Sequence, residues 1–323
     1  MADGYGTIYQ LAAGLGSLFY AFAGVVLLYY LGKRLFDTTT ALIGAIAIWL
    51  ATPLIYYMTM EPLMAHTISM FSITLFVFLW YVTRDNRRLY HWAILGVVGG
   101  LLTIVRYQDA PFLLIPVIDT VITKLRKPDS PPKSWLYYGF AFGVFFLAAL
   151  LATTPQLYEN KVFYGSPFIN GYGHGGEGFI YWNSPKILYS LFSTQSGLVL
   201  WSPIMLLSFI GLFWFSRKRP LIGLLLTSSF LVQLYLVSSW WAPDQGHTFG
   251  NRMLLNSTVV FAIGLMQFIY VVKERKVAFL KYAVSLCAAL ILINGVLSGL
   301  YCFRIIGHSY SYTPHSYQNP NPN

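Results

Sequence analysis

The 323-residue chain is 56% apolar and 18% aromatic but only 10% charged, well under half the charged share common in soluble domains. With a mean hydropathy of +0.59, it has too little polar surface to coat a globule. A soluble enzyme, a disordered chain and a disulfide scaffold are therefore excluded. The formal charge of +10 would point to nucleic acid in a soluble protein, but the placement of the charges decides its meaning.

A helix needs about 20 apolar residues to cross about 30 Å of hydrocarbon. Ten apolar runs are predicted as spans, at 13–32, 40–58, 63–82, 90–105, 110–123, 136–154, 197–216, 221–238, 254–272 and 278–300. They lack strand-like alternation, and long continuous runs select helices over a closed barrel. The fourth and fifth are short, and Pro111 and Pro116 interrupt the fifth. The expected fold is an all-α polytopic membrane protein of about ten transmembrane helices. It divides into an outer-loop end at 1–12, a first helix group at 13–154, an outer-face loop at 155–196, a second helix group at 197–300, and a disordered tail at 301–323. Cys287 and Cys302 fall on one predicted helix, roughly 22 Å apart at about 1.5 Å per residue, too far for a disulfide.

Orientation follows from the loops. Alternate connections carry Lys33-Arg34, then Arg84/Arg87/Arg88, then Lys124/Arg126/Lys127/Lys133, then Arg217-Lys218-Arg219, then Lys273/Arg275/Lys276/Lys281. Together they hold 16 of the 21 basic residues. The opposite connections hold only Arg106, Lys161, Lys186, Arg252 and Arg304. The basic set is expected to face the cytoplasm, so the excess positive charge is a topology code and no nucleic-acid partner is needed. Both chain ends then lie outside, with no signal peptide ahead of the first run. Either a short tail with one net negative charge, Asp3, translocates by itself, or an upstream helix and outer loop precede this sequence and it starts partway into a longer protein; the second reading is favoured.

The unusual residues gather on the outer side. The stretch 155–196 is rich in Gly, Pro and aromatics and suits an element at headgroup level. Its centre, GYGHGGEG, lacks the Lys-Ser/Thr of a phosphate-cradling loop and is first a flexible loop, with His174 and Glu177 available to a ligand or metal. Glu61-Pro62 joins the second and third runs, with His66 about one helical turn beyond. Arg106 and Asp109 lie in the next outer turn. Residues 238–256, SSWWAPDQGHTFGNRMLLN, carry Trp240, Trp241, Asp244, His247 and Arg252. Charges at the membrane edge are costly unless paired or wetted, so these groups are expected around a shared aqueous cavity. Each has a plainer reading. Glu61 suits a helix start with Pro at the next position, and Arg106 and Asp109 suit an ion pair. The two tryptophans suit an interfacial belt as well as a sugar-stacking platform, and the histidines suit ordinary hydrogen-bonded positions.

Four segments occur in a recognisable order: LIYYMTMEPLMAHTISMFSITLFVFLW, VRYQDAPFLLIP, STQSGLVLWSPIMLLSFIGLF and SSWWAPDQGHTFGNRMLLN. With them the chain resembles bacterial polytopic glycosyltransferases of the GT-C class, the family 39 type akin to protein O-mannosyltransferases and the aminoarabinose transferase of lipid A. The resemblance implies a multi-pass enzyme of the cytoplasmic membrane with its site facing the periplasm or cell exterior. It implies a polyprenyl-phosphate sugar donor and a lipid, glycan or protein acceptor, with membrane lipids around it. It places Glu61 and Asp109 as catalytic candidates, and Arg106, His66, Trp240, Trp241, Asp244, His247 and Arg252 as substrate-binding candidates. Glu61 would bind a metal, orient the acceptor or remove its proton; Arg252 and Arg106 would meet the donor phosphate, with Asp109 holding Arg106. No cofactor is fixed. A divalent metal is open, because no His/Asp/Glu spacing amounts to a binding motif. Members of this family begin with a helix and a long outer loop bearing an acidic motif; the sequence starts at what resembles the end of that loop, so activity as written is in question. The alternatives are a transporter or lipid flippase, against which the one-sided polar groups and lack of internal repeat count, and a non-catalytic relative of the enzyme.

Overall fold

The computed structural model describes residues 6–126, 133–169, 178–246 and 248–306. Its regular elements are helical: α1 (Thr7–Leu35), α2 (Thr38–Leu50), α3 (Leu54–Thr59), α4 (His66–Thr83), α5 (Leu89–Val105), α6 (Leu114–Arg126), α7 (Trp135–Tyr164), α8 (Ile187–Phe192), α9 (Leu198–Trp201), α10 (Ile204–Lys218), α11 (Pro220–Ser238), α12 (Thr258–Arg275) and α13 (Leu280–Cys302). The expected all-α polytopic architecture is what the structure has. Six helices are long and apolar enough to cross a bilayer, and α2 and α5 are shorter apolar helices.

Each expected run corresponds to helix, but several are broken for local reasons. The second run stops at Leu50 and resumes at Leu54, because Pro53 cannot continue the hydrogen-bond ladder. A backbone carbonyl freed in hydrocarbon must find a partner. Here Asn294 of α13, wholly buried, donates to Leu50 O at 2.9 Å and Thr52 O at 3.1 Å. The helix of the third run, α4, starts at His66 rather than residue 63, so Glu61 and Pro62 lie in a turn and not at a helix start. The fifth run opens as a 3-10 turn, Tyr107–Leu113, containing Pro111. Its helix α6 has only 13 residues, short of a full span, and carries a buried Asp119 paired with Arg84 at 2.8 Å. The seventh run breaks at Ser202-Pro203 between α9 and α10. Conversely, α7 runs on past residue 154 to Tyr164, through Pro155, so the start of the expected outer loop is helical. Thr153 and Thr154 both donate to Leu150 O beside the kink residue.

Helix α12 is the central post. Its apolar window is 78% buried inside the protein, against 22% for α7 and α13. It packs on α2, α4, α10 and α13, leaving the peripheral helices to face lipid. The closest crossing is with α10: a Cβ placed on Gly211 would lie 1.9 Å from Gly264 O, and one on Gly264 would lie 2.2 Å from Ser208 O. Only glycine permits that approach.

The basic connections meet at one end of the bundle. Lys273 pairs with Asp37 at 2.8 Å, Phe36 contacts the rings of Phe215 and Tyr270, Arg219 donates to Tyr81 Oη, and Lys133 donates to Arg87 O. The opposite, sparsely basic end gathers the turns after α3, α5 and α11.

Two outcomes follow. Gly211→Ala should lower the thermal midpoint in detergent, by about 1–3 kcal/mol of stability or more, and an unchanged midpoint would mean the crossing is looser than described. At Asp37, burial opposes ionisation, but the Lys273 ammonium and the hydroxyl and N–H of Thr40 outweigh it and hold the carboxyl down to about 2. A carboxyl depressed in the folded state stabilises above its unfolded pKa of about 3.9 and loses that contribution as pH falls further. Asp37→Asn should therefore lower the midpoint at neutral pH, with the gap to the parent narrowing between pH 4 and pH 2.

Candidate functional site

The sparsely basic end holds a polar cluster built from four elements. Arg106, in extended conformation just after α5, points its guanidinium at α4: Nη1 lies 2.6 Å from His66 Nδ1, and Nη2 donates to Gln108 Oε1 at 2.9 Å. His66 is itself buried and is the first residue of α4. Gln108 then donates to Met253 O at 3.2 Å, so the turn after α5 is tied to the segment leading into α12.

Asp109 does not pair with Arg106. The expected ion pair assumes helical spacing, but the chain turns extended at Arg106 and enters a 3-10 turn. The carboxylate, 0% exposed, instead accepts from Ser69 Oγ of α4 and from Asn256 Nδ2 at 2.9 Å. The other Asn256 Nδ2 proton reaches Gln233 Oε1 of α11 at 2.7 Å, and Gln233 Nε2 donates to Gln108 O at 2.8 Å. Among the described residues the ion pairs are Arg84–Asp119 and Lys273–Asp37, both at the basic end. Asp109 is thus a buried carboxylate held by neutral donors.

Arg252 is carried by the loop between α11 and α12. Gln245 there has φ 58°, a left-handed conformation rare for a residue with a side chain. Its carbonyl accepts from Arg252 Nη2 at 2.9 Å, while its amide bridges Asn251 Oδ1 and Met253 N. Arg252 Nε is buried and has no hydrogen-bond partner among the described residues, and the same is true of the Tyr57 hydroxyl on α3, whose residue is 0% exposed. The Tyr57 and His66 rings are 5.8 Å apart. Glu61, half-exposed in its turn, accepts from Tyr56 Oη at 3.0 Å. Beneath this array lies an aromatic floor of Tyr56, Phe249, Trp201 and Tyr301, with ring centroids 4.8 to 6.1 Å apart.

The remaining candidates sit differently. Trp240 packs edge-on against Phe179, and Trp241, 41% exposed, donates its backbone N–H to Gly178 O. Both are joined to segment 178–186, which lies along 238–241 through Tyr181 N–H to Ser239 O and Lys186 N–H to Ser238 O. Asp244 closes a local turn by accepting from Gly246 N. His247, His174 and Glu177 lie outside the described residues. Among the described residues no three or more His, Cys, Asp or Glu side chains cluster as metal ligands would. Tyr57, Gln233, Gln245 and Asn256 were not singled out in the sequence; the one available signal was a polar residue interrupting an apolar run, as Gln233 does.

Residues 9–152 match the family described as dolichyl-phosphate-mannose-protein mannosyltransferase. The match covers just under half of the chain and includes Glu61, His66, Arg106 and Asp109 but not the 238–256 loop. It supports a membrane glycosyltransferase of the GT-C type. No curated protein and no solved structure matches the chain.

If the four-element network is one unit, Gln233→Leu and Asn256→Leu should each cost about 1–3 kcal/mol, since each strands a buried partner. The double variant should cost less than the sum of the two. A double-mutant cycle on thermal or denaturant midpoints checks this, and strict additivity would show the residues to be uncoupled.

Proposed function

We propose that the cluster is the reaction site of a glycosyltransferase that takes a sugar from a polyprenyl-phosphate donor to an acceptor hydroxyl. The family match supports sugar transfer within a membrane. The observation that carries the site is that this end of the bundle holds two buried donors with no hydrogen-bond partner among the described residues, Arg252 Nε and Tyr57 Oη, the Tyr57 ring lying 5.8 Å from that of His66, which meets Arg106. Buried polar groups without partners are costly, and an anionic oxygen would satisfy both.

In this reading the donor phosphate sits against Arg252, with Tyr57 as a second donor and Arg106 adding positive potential. As the acceptor oxygen attacks the anomeric carbon, the bond from that carbon to the phosphate oxygen breaks, and the electron pair leaves with the phosphate. A guanidinium presents parallel donors to that developing charge. Glu61, half-exposed at the same mouth, takes the acceptor proton. Asp109 has a different part: wholly buried, it holds the turn that aims Arg106 rather than touching substrate. Trp240, Trp241 and Asp244 form the flank toward segment 178–186, where the tryptophans offer a face for a sugar or for the lipid boundary.

The concentration of basic residues in the opposite connections supports an orientation with that end toward the cytoplasm and this end toward the periplasm or the cell exterior, the side on which a lipid-linked donor meets exported acceptors. Membrane lipids surround the peripheral helices.

Glu61→Gln should reduce transfer from a polyprenyl-phosphate sugar by about a hundredfold or more, with the protein still monodisperse and the donor still bound. Arg252→Lys keeps the charge but loses Nε, and should weaken donor binding by about tenfold. Transfer unchanged in both variants would remove these residues from the site.

A further inference from the structure

We infer that the groove between α10 and α12 at the basic end is a binding site for an anionic phospholipid of the adjoining leaflet. The two helices run in the same direction and touch at Gly211 and Gly264. Toward the basic end from that crossing, a cavity of about 360 Å³ opens between them, lined by Trp214 and Lys218 of α10 and by Gln267, Tyr270, Glu274 and Arg275 of α12.

Three features of this cavity match such a lipid. The first is charge. Lys218 and Arg275 outnumber Glu274, and neither Arg275 nor Glu274 belongs to the ion pairs found among the described residues. Lys218 Nζ is held 4.8 Å from the Tyr270 ring centre, which keeps the ammonium at the mouth. Basic pockets between transmembrane helices are where acidic headgroups bind. The second is Gln267. Its side chain lines the cavity, the residue is only 3% exposed, and it is an amide about two turns inside the otherwise apolar body of α12. An amide at hydrocarbon depth is costly unless it is hydrogen-bonded, and a ligand group in the groove would supply that bond. The third is spacing. Gln267 and Arg275 are eight residues apart on one helix, about 12 Å at 1.5 Å per residue. A headgroup phosphate at the Lys218 and Arg275 level leaves the glycerol ester carbonyls directed toward Gln267 Nε2, which can donate to them. Free phosphate offers nothing at that depth. Trp214, stacked on Phe268 with a 3° interplanar angle, forms the wall at the level where tryptophan favours the lipid interface.

The groove lies at the end of the bundle opposite the polar cluster and does not depend on the function proposed for that cluster. The test uses the purified protein in non-ionic detergent, with lipid binding read by native mass spectrometry and by the thermal midpoint. Phosphatidylglycerol should bind about tenfold more tightly than phosphatidylcholine of the same acyl chains. Lys218→Gln with Arg275→Gln should abolish that preference. Gln267→Leu should weaken phosphatidylglycerol binding about three- to tenfold while leaving the lipid-free midpoint unchanged or higher, which a merely structural glutamine would not do. Equal binding of both lipids, a preference that survives the double substitution, or a lipid-free midpoint that falls in Gln267→Leu would overturn the site. An equal shift with inorganic phosphate alone would also overturn it, by showing a free-anion site instead.

Discussion

Hydrocarbon offers no hydrogen bonds, so a polar group that this chain takes into the bilayer is costly unless it is matched from within. The consequences are visible wherever a helix is interrupted. The break between α2 and α3 exposes carbonyls at Leu50 and Thr52, and a buried asparagine from a helix more than two hundred residues later in the sequence supplies the donors. The same requirement accounts for Asp119, which is tolerated in α6 because Arg84 grips it with two nitrogens and Trp80 adds a third donor. It also accounts for Asp109, where Ser69 of α4 and Asn256 of the segment before α12 contribute neutral donors. The bundle is apolar by composition, yet its specific arrangement is set by these few satisfied polar contacts, because apolar side chains alone cannot distinguish a neighbouring helix from lipid.

That constraint explains how much was legible beforehand. Apolar runs long enough to span are a one-dimensional property, and the ten expected segments all fall on helix. Their interruptions at Pro53 and Pro203 could have been placed from the prolines alone. The continuation of α7 through Pro155 could not, since whether a proline ends or merely kinks a helix depends on what packs beside it. The displacement of Glu61 from a helix start into a turn belongs to the same class of error.

The candidate site was legible as a location but not as a wiring diagram. Placing Glu61, His66, Arg106 and Arg252 on one end required only counting spans. Pairing Arg106 with Asp109 relied on helical spacing, and the backbone at Arg106, φ −153°, is extended. The actual partners of Asp109 lie 40 residues before it and 147 after it, and no local rule reaches them. Tyr57 was invisible for another reason. In a chain with 24 tyrosines, one more in an aromatic stretch carries no signal; only its burial with an unmatched hydroxyl sets it apart.

The loop that carries Arg252 shows how a rigid bundle can hold a charged group ready. Gln245 at φ 58° and Gly246 and Gly250 at φ 68° and 62° put three residues of one short loop in the left-handed region. For glycine this is free, but for glutamine it costs on the order of 1 kcal/mol or more, so the surroundings must enforce it. They do so through the glutamine itself: its amide is held by Asn251 and by the backbone of Met253, and its carbonyl is turned toward Arg252. Asn251 is in turn anchored to Ser190 O, beyond the loop, and caps the turn leading into α12. The guanidinium is therefore oriented by backbone geometry rather than by an opposing carboxylate. A carboxylate partner would neutralise the arginine and compete with an anionic ligand; a strained carbonyl fixes one nitrogen and leaves the positive charge, and the buried Nε, unspent.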